Sequence, residues 1–145
     1  MARSNAVGKL RDIVEAVSNG NVSPKAAIHK ELGNIADEQV LHSQVLVVTY
    51  VGSMYHAGTK IFKTDKSLQE DQFQGSIGLV VKVGPGAFKD DPPRGVFFHG
   101  MSVKAGDWVL TRPSDGLQLY IREVPCRLFE DVNVKMVVSD PEIFW

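Results

Sequence analysis

Four histidines, one cysteine and two adjacent carboxylate pairs are the side chains of this sequence best suited to chemistry. His29, His42, His56 and His99 lie far apart and match none of the close-set spacings that hold zinc, and Cys126 has no second cysteine to join it. The histidines therefore read as surface or loop residues. Cys126 stands between Pro125 and Arg127 with no base near it in sequence, which suits a structural thiol rather than a nucleophile. Glu70-Asp71 and Asp90-Asp91 pair carboxylates as acid–base chemistry requires, but both fall in polar stretches where solvated charge is the default. There is no Gly-x-Ser-x-Gly elbow and no glycine-rich phosphate loop ending in lysine. The expectation is a protein that is not an enzyme, with no catalytic residue, cofactor or metal.

The bulk numbers narrow the class further. A chain of 145 residues, 43% hydrophobic and 23% charged, fits one ordinary globular domain with a short appendage. A formal net charge of -1 leaves no electrostatic footprint for nucleic acid or an anionic membrane. A single cysteine allows no intramolecular disulfide, which suits a reducing compartment. The N-terminus lacks the apolar run of a signal peptide, and the longest apolar run, Val45 to Val48, is too short to cross a bilayer. These features read as a soluble protein made in cytosol.

The elements divide near Gln44. Before it, Val7, Leu10, Val14 and Val17 fall on one helical stripe, with Ser4 or Asn5 as a cap and Gly20 as a stop. A second helix is signalled by Ser23 as cap, Pro24 in the first position and Gly33 at the end, with Ala27, Ile28 and Leu32 as its apolar face. After it, strands are expected over 44–51, 77–83, 108–111, 117–122, 126–129 and 132–138. Two insertions separate them. The first, 52–74, is polar with one apolar island at Lys60-Ile61-Phe62; the second, 87–101, turns at Asp90–Gly95 and returns through Val96-Phe97-Phe98. Short strands joined by Gly/Pro turns with no crossover helices imply a mainly β fold, a barrel or sandwich. The sequence divides into a helical arm (1–43), a β body (44–138) and an apolar tail (139–145) ending Ile143-Phe144-Trp145.

The order Gln44-Val45-Leu46-Val47-Val48, a long polar loop, Gly78–Gly86 with its Gly84-Pro85-Gly86 corner, Val103–Leu110 with its Gly106-Asp107 turn, and Arg127–Val134 resembles the GroES-like small co-chaperonins. The corner and turn glycines are expected to supply unusual backbone angles. The resemblance implies a small GroES-like β-barrel, here with a two-helix N-terminal extension and a short C-terminal tail. In that family the long loop carries a Gly-Gly-Ile-type segment that docks on the large chaperonin; here the region reads Ala57-Gly58-Thr59-Lys60-Ile61-Phe62-Lys63. A barrel of this kind without that segment, but with added ends, implies reuse in assembly. The leading expectation is a bacteriophage virion protein that decorates or cements a capsid, binding capsid subunits and copies of itself after assembly in the host cytoplasm. The alternative is a phage co-chaperonin that caps a large chaperonin by inserting Ile61-Phe62. The expected contact residues are Lys60, Ile61 and Phe62 in the loop, Val7, Leu10 and Val14 in the arm, and Ile143, Phe144 and Trp145 in the tail.

Overall fold

A computed structural model describes residues 2–18, 20, 22–50 and 75–144. Two helices precede a mainly β body: α1 (Ala2–Ser18) and α2 (Pro24–Leu32), then β1 (Gln44–Thr49), β2 (Ile77–Val83), β3 (Trp108–Thr111), β4 (Leu117–Ile121), β5 (Val124–Glu130) and β6 (Val134–Val138). The signals at α2 act as read. Ser23 Oγ accepts from the Ala26 amide at 3.2 Å, and Gly33, at φ 76°, donates its own amide to the His29 carbonyl. At α1 the stop at Gly20 also holds, with φ 72° and an amide bonded to Val17 O. Ser4 and Asn5, however, lie inside the helix, which begins at Ala2; alanine and arginine ahead of the expected cap are good helix formers and extend it.

The six strands form one antiparallel sheet in the order β4-β5-β1-β2-β3-β6. The unbroken apolar run of β1 reflects burial on both faces, since alternate side chains of a strand point to opposite sides. Leu46 and Val48 join Leu79, Val81, Trp108 and Cys126 on one face, where Ile13, Ile28 and Leu32 of the helices cover them. Val45 and Val47 join Val80, Ala87, Val109 and Phe129 on the other. Removing this surface from water is the main stabilising term, about 1.5–3 kcal/mol for each large apolar side chain fully buried.

Chain connectivity shows that the sheet is rolled. β5 and β6 stand four strand spacings apart in the ladder order, about 19 Å if flat. Yet only Asp131–Asn133 separates Glu130 from Val134, and four Cα steps reach about 14 Å at most. Register shifts at Leu46/Val47 and at Leu110/Thr111 supply local twist of the kind that bends strands. Among the described residues the roll is not closed by a ladder, and β4 and β6 are its edges.

Of the two glycine corners, one works differently from expectation. Gly106 does adopt the left-handed region, at φ 98°. Gly84 and Gly86 do not; what Gly84 supplies is room, because a Cβ there would lie 2.3 Å from the His42 carbonyl oxygen. Strand limits also shift: β5 begins at Val124 and β6 at Val134, because Asp131–Asn133 form a 3-10 turn that uses up the expected start. The long insertion 52–74 lies outside the described residues. No helix among the described residues is long and apolar enough to cross a membrane.

Candidate binding surface

The second insertion builds the most distinctive surface. After β2, Asp91 and Val96 exchange backbone hydrogen bonds around the 3-10 turn Pro92–Arg94, and Gly95 closes that turn at φ 68°. Asp90 accepts the Phe98 amide at 2.8 Å, which directs the chain back on itself. Phe88 and Phe98 then meet edge-on with ring centres 5.6 Å apart. Asp131 pins this loop to the foot of β6: it is buried, its Oδ2 accepts the Phe88 amide at 3.0 Å and its Oδ1 accepts the Val132 amide at 2.8 Å.

Between loop and strand lies a cleft of about 380 Å³. Of nine exposed large apolar side chains among the described residues, Phe97, Met101, Val132, Met136 and Val137 line it. Lys135, Met136 and Val137 are all exposed, as expected for an edge strand whose outer side has no ladder partner among the described residues. Edge strands are commonly protected by charge, proline or a covering loop; β6 has one lysine and otherwise apolar side chains. Concentration of apolar surface on an edge marks a place where another surface seats.

The side chains suited to chemistry are dispersed. Cys126 is fully buried, its Sγ bonded to Val124 O at 3.4 Å, and burial pushes its thiol up to about 12. His29, His42 and His99 are exposed; His56 and the pair Glu70-Asp71 lie outside the described residues. Asp90 and Asp91 serve the loop, the second bridging Arg94. Among the described residues, no three His, Cys, Asp or Glu side chains gather as a metal site. Buried Arg127 does local structural work: its Nη1 donates to Gly75 O at 3.2 Å and to Thr49 Oγ1 at 3.5 Å, which ties the end of β1 to the residues leading into β2. Burial lowers the pKa of its guanidinium.

The expected contact residues fare unevenly. Val14 is enclosed in this chain's own core, because the helices cover the sheet face that would otherwise be bare. Val7 and Leu10 sit on α1 and Phe144 on the final turn, but their side chains lie outside the described residues, as do Lys60, Ile61, Phe62 and Trp145. The tail is fastened at its base. Pro141 is buried and Glu142 accepts a hydrogen bond from the Tyr50 hydroxyl, while Ile143 stays 70% exposed. The cleft beside β6 was not apparent in the sequence; the signal available was the density of Phe97, Phe98 and Met101 in a turn-rich stretch.

No protein-family model and no curated protein matches the chain.

Proposed function

We propose that this protein is a non-enzymatic binding module with a GroES-like β-barrel, a virion structural protein that decorates or cements a capsid by adhering to its subunits. The observation that carries the adhesive role is the collection of five exposed apolar side chains in one cleft along an edge strand. Burying such side chains at an interface is what gives a small contact its affinity. The barrel reading is supported by the short link between β5 and β6, which draws the β6 edge back toward the strand next to the other edge. The arm and the tail are suited to adding contacts on neighbouring subunits. Co-sedimentation of the purified protein with assembled capsid shells tests this directly. The wild type is expected to pellet with shells and Met136→Asp to stay in the supernatant with an unchanged circular dichroism spectrum. A wild type that never pellets, and that is absent from purified virions by mass spectrometry, removes the proposal.

A second reading, a phage co-chaperonin, is supported by the turn leading into β3, left-handed at Gly106, which lies where Gly106-Asp107 resembles that family in sequence. It requires suppression of a large chaperonin's ATPase activity, lost in Phe62→Asp. If neither shells nor chaperonin respond, both readings fail together.

A further inference from the structure

The two-residue turn between β4 and β5 is built against the preferences of its own residues. Arg122 and Glu123 both have positive φ, 46° and 70°, while Ile121 pairs with Val124 across them. Asparagine and glycine occupy such turns at low steric cost, whereas a residue with an ordinary side chain is strained at each position. Strain kept at a turn that Asn-Gly could relieve points to a task for the side chains.

That task lies at the helices. Arg122 Nη1 donates to the carbonyl of Leu32 at 2.7 Å, at the C-terminal end of α2 where carbonyls lack partners within the helix. The guanidinium also sets positive charge against the negative end of the helix dipole. Gly33 makes room for it, since a Cβ there would lie 2.9 Å from the same nitrogen. Lys9 of α1 bridges Glu31 of α2 at 3.0 Å, so the helix that Arg122 holds is itself tied to its neighbour.

The segment joining α2 to β1 packs Ile35 and Val40 against the same core cluster as the helices and is held further by side-chain bonds. Lys82 donates to the carbonyls of Ala36 and Glu38. Beside it an open groove of about 700 Å³ runs between Ile35 and Val40 on one side and Leu119 and Ile121 on the other. The sheet keeps a second apolar cluster on its other face, to which no helix residue contributes among the described residues.

We infer that the Arg122–Glu123 turn is a latch for the helical layer: α1 and α2 lift from the sheet as one unit, and the Arg122 bond to the Leu32 carbonyl governs how often they do. Lifting uncovers Leu46, Val48 and Leu79, an apolar face continuous with the groove. This property belongs to the chain alone and does not depend on what the protein binds.

Amide hydrogen exchange on the full chain tests it, comparing wild type, Arg122→Gly, Arg122→Lys and Glu123→Gly. Arg122→Gly relieves the backbone and removes the latch. Amides of 24–32 are expected to exchange about tenfold faster, the loss of one hydrogen bond from a charged donor, while those of 44–49 and 77–83 keep their wild-type rates. Arg122→Lys, which keeps the charge without the planar fork, is expected to give a smaller acceleration of the same amides. Glu123→Gly keeps the Leu32 bond and is expected to leave α2 within about twofold of wild type. The latch is overturned if neither Arg122 variant accelerates α2, if helices and sheet accelerate together, or if Glu123→Gly frees α2 as much as Arg122→Gly does.

Discussion

Cys126 shows what a buried thiol contributes to pH dependence. Its pKa rises from 9.0 in the open chain to about 12 on burial. The folded state therefore holds its proton more tightly than the unfolded state. The stabilisation is fully present below pH 9 and is lost as pH climbs toward 12, at about 1.4 kcal/mol per pH unit. Urea midpoints should fall from pH 9 upward. Cys126→Ala should flatten that limb between pH 9 and 10, while costing on the order of 1 kcal/mol at neutral pH for the cavity. An equally steep limb in the variant would contradict the assignment. Tyr50, also raised by burial and by its bond to Glu142, adds its own decline above pH 10. Gly84 makes a steric prediction. Alanine there would meet the His42 carbonyl at 2.3 Å and should destabilise by about 3 kcal/mol, whereas Gly95→Ala, with open space but φ 68°, should cost about 1–2 kcal/mol. Denaturation of the two variants side by side measures the difference. The structural role of Cys126 was legible from its lack of chemical neighbours in sequence. The reason for Gly84 was not, because the obstructing carbonyl comes from a distant part of the chain.

At the scale of elements, Asp131 ties the cleft loop to β6 through two backbone amides. Asp131→Ala leaves both donors without this acceptor and should cost about 2–3 kcal/mol. Faster amide exchange at 88–103, with β1 unaffected, would report that the loop has come away; unchanged exchange there would show that the loop is held by its own Phe88–Phe98 contact. Periodicity and punctuation located the six strands and two helices of the described residues to within a few residues, since Pro, Gly and Ser act locally. The errors have physical causes. The β4–β5 turn carries Arg-Glu where turn chemistry favours Asn-Gly, so Val124 was left outside its strand. The start of β6 gave way to a 3-10 turn anchored by Asp131, whose partner Phe88 lies on another segment.

For the molecule as a whole, β character was readable from the alternation and turn signals, whereas the strand order of the ladder and the placing of the helices on one face were not. Helix faces were visible as stripes, but nothing local says what a stripe covers. Val14 therefore reads equally well as a contact for a neighbour and as core, and the structure gives it to the core. The cleft proposed to be adhesive was hidden for the same reason: Phe97 and Met136 are far apart in sequence and line one cleft only because the insertion folds back on β6. At this scale the prediction is that a charge in the cleft abolishes association while leaving the fold intact, because Met136 is 49% exposed and contributes little to the core.

Amide exchange on the shell-bound protein is the sharpest test of adhesion through the cleft, because it reports where contact is made as well as whether it occurs. Protection is expected over 96–103 and 132–137, with the turn at 112–116, which does not line the cleft, unchanged. Binding that protects other segments and leaves the cleft exchanging as in the free protein would contradict the account.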